Sequence, residues 1–124
     1  MQKIKNKKNF SLTKEAHEFA KDISSHAGNP SGVGQLAQLG FSIGIADDKH
    51  KTLESASKNM ADTASIDPDG IILDTYINLF PEYDENVWLD IEKAASKGIL
   101  IIKEKFYDEE LNMIKWAELY EEIS

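Results

Sequence analysis

The chain contains no cysteine and no arginine, only three prolines and two tryptophans, and no apolar run near the length of a membrane span. Without cysteine, disulfide frameworks and thiolate zinc sites are excluded together, and a cytoplasmic protein is the default expectation. A membrane helix needs roughly 20 consecutive apolar residues, so no membrane partner is expected. The lysine-bearing start, residues 1–8, is not followed by the apolar stretch of a signal peptide. Without arginine, every basic side chain is a lysine, a point charge and not the planar fork that grips guanine edges and phosphates bidentately. Binding to nucleic acid would therefore depend on charge and shape more than on base sequence. The 124 residues suit one hydrophobic core, because a chain of about this size buries roughly two-thirds of the surface it exposes when unfolded.

What charge there is lies unevenly. The first fourteen residues hold five lysines, Lys3, Lys5, Lys7, Lys8 and Lys14, and no acid, whereas the whole chain carries a net charge of −8. From Asn59 to Glu92 there are nine acids and no base. Such polarity can orient a molecule on a charged partner or join copies head to tail; acidic helix faces and a solvated lysine tail also serve solubility alone.

Along the chain, residues 9–13 alternate polar and apolar, as a short strand does. Ala16, Phe19, Ala20, Ile23 and Ala27 then fall on one stripe and predict a helix over 14–27, capped by Thr13 and stopped by Gly28-Asn29-Pro30. Ser31 is the expected cap of a second helix over 32–47, apolar on nearly every side and hence expected at the centre of the domain. Its Gly34, Gly40 and Gly44 each cost about 1 kcal/mol relative to alanine; close approach of a neighbouring backbone, from this chain or another copy, is the expected reason for them. A weaker third helix is expected over 53–64. Asp67-Pro68 has the form of a helix start, with the acid as cap and the proline in the first turn, and the pattern continues to Phe80. Asp84 is the expected cap of a helix that closes at Gly98, after which 99–102 fits a strand or a resumed helix. A last helix from about Asp108 is expected to bury Leu111, Ile114 and Ala117, with Trp116 and Tyr120 as further candidates. The fold class expected is mainly α: a compact helical bundle with a short N-terminal strand, divided into a basic flexible tail, 1–8, and a single helical domain, 9–124.

Motifs for chemistry are sparse. Gly28-Asn29-Pro30-Ser31-Gly32-Val33-Gly34 precedes a helix, and helix N-termini attract anions, but the Gly-Lys-Ser/Thr of a phosphate loop is missing. His17, His26 and His50 have no ligand spacing and are expected to be solvated or capping. Asp67, Asp69 and Asp74 lack the twelve-residue spacing of a calcium loop. No nucleophile–histidine motif is present, and Trp88 and Trp116 sit at core spacing. No catalytic residue, cofactor or metal ligand is expected.

The order strand, helix, glycine-containing turn, helix over residues 9–47 resembles the ribbon-helix-helix plan, in which paired strands of two subunits enter the DNA major groove. Two stretches are similar to the small E component of bacterial DNA phosphorothioation (Dnd sulfur-modification) systems. One is Phe10-Ser11-Leu12-Thr13-Lys14-Glu15-Ala16 together with Leu36-Ala37-Gln38-Leu39-Gly40-Phe41-Ser42-Ile43-Gly44; the other is the amphipathic segment that ends Lys97-Gly98-Ile99-Leu100. The resemblance spans about half the chain. It implies a compact helical homo-oligomer that associates with other subunits of a modification complex. It further implies binding to DNA, with a preference for nicked duplex, through surface lysines, and no catalysis of the sulfur chemistry. The positions here that fit that part are Lys3, Lys5, Lys7, Lys8, Lys14 and Lys21. The family pattern places arginine in the second helix and at the basic-Gly turn, where this chain has Gln35 or Gln38 and Lys97.

Two functions therefore stand as expectations. One is a non-catalytic, DNA-associated accessory protein of a modification or defence system. The other is an acidic protein-binding module, such as an immunity or inhibitor protein, using Asp67, Asp69, Asp74, Glu82, Asp84, Glu85, Asp90 and Glu92 to steer a basic partner.

Overall fold

Three glycines govern how the two central helices meet. The computed structural model describes residues 4–24 and 26–123. In chain order these form β1 (Asn9–Leu12), α1 (Lys14–Ser24), α2 (Val33–Gly44), a 3-10 turn (His50–Thr52), β2 (Lys58–Asp62), α3 (Thr63–Ile66), α4 (Ile71–Leu79), α5 (Val87–Lys105), β3 (Tyr107–Asp108), β4 (Met113–Ile114) and α6 (Trp116–Ile123). The protein is mainly α, with two small antiparallel pairs, β1–β2 and β3–β4. Where α2 crosses α5, a side chain on Gly40 would collide with the Ala95 carbonyl, one on Gly44 with the Ala94 carbonyl, and one on Gly98 with the backbone of Gly40. The helices touch backbone to backbone, within the chain. Gly34 differs: its neighbours are the Ile66 and Met60 side chains, at 3.5 and 3.9 Å.

Gly98 thus ends nothing. Helix α5 passes through it to Lys105, so residues 99–102 are helical, with Ile99 and Ile102 in the core. Around this crossing, α1 contributes Ala16, Phe19, Ala20 and Ile23, and the Ala16 amide donates to Thr13 Oγ1 at 3.4 Å as the expected N-cap. Helix α1 stops at Ser24, short of Ala27. At the start of α2 the capping runs backwards: Gln35 Oε1 accepts from the Ser31 amide at 3.1 Å, and the N-cap position, Gly32, offers no side chain.

Other expectations are corrected. No helix spans 53–62; after the 3-10 turn the chain has no regular structure until β2, and Thr63 and Ala64 open the short α3. The reason is that residues 58–62 complete β1, with Phe10 opposite Ala61 and Leu12 opposite Lys58 and a bulge between Phe10 and Ser11. The ribbon is therefore closed within one chain, and a partner subunit is not what pairs with β1. Asp67 does cap α4, accepting from the amides of Ile72 and Leu73 at 2.9 and 3.0 Å. Pro68 lies in the turn ahead of the helix, where Gly70 takes a left-handed φ of 74° that favours glycine. Asp84 takes the Asn86 amide at 2.8 Å just before α5. The helix expected from Asp108 is a hairpin first: its turn places Asn112 at a φ of 51°, a region asparagine tolerates, and Leu111 is left exposed while Ile114 and Leu119 are buried. Ala117 is exposed and Trp116 half-buried.

The Gly28-Asn29-Pro30 turn is a clasp for that hairpin. Asn29 Nδ2 donates to the carbonyls of Ile23 and Asn112, each at 2.9 Å, Asn29 Oδ1 accepts from the Ile114 amide at 2.9 Å, and Trp116 Nε1 donates to the Gly28 carbonyl at 2.7 Å. His50 is wholly buried, not solvated. Its Nδ1 donates to the Asp47 carbonyl, and in the neutral ring Nε2 accepts from the Tyr76 hydroxyl, both at 2.8 Å. Phe80 packs on both rings.

Introducing a methyl group at Gly44 sets about 1 kcal/mol of improved helix propensity against a backbone collision of a kind that costs roughly 1–3 kcal/mol or more. Gly44→Ala is expected to be destabilising by about 2 kcal/mol in urea unfolding, and Gly34→Ala, where the contacts are ordinary, neutral or stabilising.

Candidate nucleic-acid interface

The basic N-terminal residues are packed onto the domain from Ile4 onward, so no boundary falls at residue 8. Ile4 is half-buried against the core. The Lys5 amide donates to the Glu85 carbonyl at 2.8 Å, and the Lys8 carbonyl accepts from the Thr63 amide at 2.8 Å. Residues 4–8 thus form a strap between the start of α5 and the start of α3. Its third anchor is a side chain: Lys7 Nζ meets Glu92 Oε2 at 2.6 Å and also donates to the Asn9 carbonyl at 2.5 Å.

Glu92 sits on α5 and is 0% exposed. Its Oε2 accepts a second hydrogen bond, from the Ser11 amide, at 2.6 Å, whereas Oε1 has no hydrogen-bond partner among the described residues. One turn further along α5, Ser96 Oγ accepts from the Thr13 amide at 3.0 Å. Together Glu92 and Ser96 occupy the β1 edge that faces away from β2, so both edges of β1 are engaged. Ser11 Oγ in turn bonds Asn59 of β2 at 2.5 Å. Burial pushes the Glu92 carboxyl above the ordinary carboxylate value of 4.5, and the hydrogen bonds and charge of Lys7 with the Ser11 amide pull it back only in part. One ion pair compensates the removal of a charge from water only when the other lone pairs are also satisfied, and Oε1 is not.

Asn6, Lys7 and Trp88 line two hollows, about 150 Å³ on the Lys5 side and about 680 Å³ on the Lys8 side. The strap therefore crosses the Trp88 ring between them, and Trp88, packed edge-to-face on Phe10 at 6.4 Å, is 8% exposed. Of the six lysines singled out from sequence, Lys5, Lys8, Lys14 and Lys21 are exposed and make no ion pair among the described residues. Lys14 and Lys21 are seven residues apart on α1, one side of the helix and about 10 Å along it. Lys7 is held inward by Glu92, and Lys3 lies outside the described residues.

A second group of lysines has no signal in the linear sequence. The 3-10 turn packs on α5, bringing Lys51 beside Lys93, whose Nζ reaches the Lys51 carbonyl at 3.4 Å; Lys51 also lies over the Phe80 ring at 5.5 Å. Lys97, a turn beyond Lys93, faces Asp47 at 3.8 Å. Lys51 and Lys93 come together only because the 3-10 turn and α5 meet in the fold.

The acidic stretch divides likewise. Glu92 belongs to the core and Asp67 is occupied by the α4 amides, so neither serves a steering surface; Asp69, Asp74, Glu82, Asp84 and Glu85 are exposed. They accompany Ile71 and Leu79, 65% and 58% exposed on α4. Between α2 and α4 runs a groove of about 530 Å³ with Phe41, Ile45, Ile66 and Ile71 among its walls. Among the described residues no group of three or more acids and histidines is placed to hold a metal ion, and no helix is long and apolar enough to cross a membrane.

A folded-state value raised above 4.5 means that Glu92 contributes most stability below that pH and loses it as pH rises through the raised value. Glu92→Gln, which keeps an oxygen for the Ser11 amide, is expected to gain stability relative to wild type as the pH of a urea titration moves upward from 4.5; a constant difference across pH would refute this account of the carboxyl group.

Comparison with known protein families, with curated proteins and with solved structures returned no match to this chain.

Proposed function

We propose that this chain is a non-catalytic accessory protein that associates with DNA through the lysines of its N-terminal strap and first helix, in the manner the resemblance to the small phosphorothioation component implies. The observation that supports it is the availability of Lys5, Lys8, Lys14 and Lys21, exposed and unpaired among the described residues. Lysines of this kind neutralise phosphates and release counterions, so affinity falls steeply with salt. The ribbon-helix-helix likeness enters this reading as chain order alone, because β1 is engaged on both edges inside the chain and has none left for a groove-binding ribbon. Lys51 and Lys93, brought together by the 3-10 turn and α5, supply a second cationic site that a long duplex could reach.

The reading includes self-association and contact with other subunits of a modification complex. The exposed Ile71 and Leu79 of α4 are the apolar surface such contacts would cover. The same observation favours a second reading, a module that binds a basic protein on α4 with Asp69, Asp74 and Glu82 around it.

Gel-shift titrations against intact, nicked and single-stranded DNA at two salt concentrations separate the two. On the DNA reading, binding is salt-sensitive and tightest for nicked duplex. Replacing Lys5 or Lys8 by glutamine weakens binding on every sequence and lowers the salt slope by about one. Absence of binding at low salt would eliminate that reading and leave the α4 surface as the place to look for a basic protein. For self-association, Leu79→Asp is expected to reduce the sedimenting mass without unfolding the chain, since Leu79 is 58% exposed.

A further inference from the structure

Lys7 is the one strap lysine, among the described residues, already bound to an anion of the protein itself. Its partner is unusual in three respects. Glu92 is fully buried, it has a second donor besides Lys7 in the Ser11 amide at 2.6 Å, and its Oε1 has no partner among the described residues. Lys7, by contrast, is 26% exposed at the side chain, sits at the mouth of two hollows, and can swing outward on its four-carbon stem without moving the strap's backbone anchors at Lys5 and Lys8. One end of the pair is enclosed; the other, held also by the Asn9 carbonyl at 2.5 Å and the Ser11 hydroxyl at 3.4 Å, is the end that reaches solvent.

We propose that the Lys7–Glu92 pair is a competitive latch: a phosphate group of a bound nucleic acid draws the Lys7 ammonium off Glu92, and the abandoned carboxylate takes up a proton from the buffered solvent. The inference rests on the DNA-binding reading above. Its chemistry follows from burial. With Lys7 in place, the carboxylate has a full countercharge; without it, a buried anion remains with one amide donor, and such a group neutralises itself by protonation. The new proton has an oxygen to occupy in Oε1. Lys7 is the charged side chain that faces Glu92, from the strap. The other donor to it, the Ser11 amide of β1, is uncharged, as are the next groups along that strand, Asn59 of β2 on the Ser11 hydroxyl and Ser96 of α5 on the Thr13 amide. The already raised titration of Glu92 moves further in the same direction when the ammonium departs. Phosphate binding and proton uptake are then linked, and each strengthens the other by mass action.

The test is calorimetric titration of the full chain with a short nicked duplex, in two buffers of different ionisation enthalpy. The pH is chosen from a carboxyl 13C titration so that Glu92 is ionised in the free protein. The expected result for wild type is uptake of about one proton per bound chain, with affinity rising up to about tenfold for each unit by which pH is lowered. Glu92→Gln, which preserves volume and the acceptor for Ser11, is expected to bind more tightly than wild type with no proton uptake. Lys7→Met is expected to abolish the uptake as well, and to weaken binding in the Glu92→Gln background more than in wild type. Binding by wild type without proton uptake overturns the latch and leaves the DNA reading intact. Binding by Glu92→Gln but not by wild type supports the latch in its tightest form. Failure of both to bind at low salt overturns latch and DNA reading together.

Discussion

The meeting of the α2 and α5 backbones is the constraint from which the rest of the structure is hung. Gly40, Gly44 and Gly98 leave no room for a side chain at the crossing, so the two helices meet there backbone to backbone, where ordinary pairs pack through side chains at about 8–10 Å between axes. Propensity argues against glycine at each of these helical positions, by about 1 kcal/mol, and the close packing of the two backbones must more than offset it. Because α5 is held there along its middle, both of its flanks become fixed platforms. One flank carries Glu92 and Ser96 to the edge of β1; the helix continues past Gly98 to Ile102 in the core, and β3 of the C-terminal hairpin packs on it.

This arrangement explains why so many of the polar groups in the interior are bridges between segments distant in sequence. Ser96 joins α5 to the start of α1 through the Thr13 amide. Asn29 binds three backbone groups and so stitches the turn after α1 to the hairpin. His50 and Tyr76 join the 3-10 turn to α4, with the Tyr76 hydroxyl driven up in pKa by burial and by the Asp90 and Asp84 carboxylates. Buried polar groups need partners, and each of these has one; Glu92 differs from them, with one oxygen satisfied twice and the other without a partner among the described residues. A structure that satisfies these bridges and leaves this carboxylate half-paired concentrates its electrostatic strain under the basic strap.

How far the sequence disclosed this depends on the range of the interaction. Helices α1 and α2 were legible because their apolar stripes are local, and the glycines of α2 signalled close approach because nothing else compensates their cost. Residues 58–62 carry no strand signal of their own; they are extended because β1 needs a partner, a requirement set far earlier in the chain. Likewise Gly98 has the appearance of a helix stop, and only the presence of α2 against it makes it a crossing point. Glu92 was partly legible. It falls between Trp88 and Ala95 at the i, i+4, i+7 spacing of the buried stripe, which marks a carboxylate on the core side, but a charge count places it with the surface acids. The N-terminal lysines stand out in the composition, and the inward placement of Lys7 on Glu92 shows only in the fold.

The all-lysine composition bears on how such a pair can work. An arginine in the place of Lys7 would bind a carboxylate through two parallel hydrogen bonds in a fixed plane, and the Glu92 site offers one accessible oxygen, the other being enclosed without a donor among the described residues. A lysine meets the site as a point charge with rotatable donors, satisfied by one carboxylate oxygen, the Asn9 carbonyl and, at 3.4 Å, the Ser11 hydroxyl. In the proposed latch, the same simplicity lets it exchange one anion for another, since no bidentate geometry has to be broken or rebuilt. A chain that carries net charge −8 benefits little from indiscriminate attraction to phosphates, because long-range repulsion opposes the approach and salt screens it only beyond about 8–10 Å. Contacts made late and at short range, by lysines already oriented on a fixed strap, are the kind such a molecule can use. A lysine held in reserve by an internal carboxylate fits that requirement better than one more exposed charge.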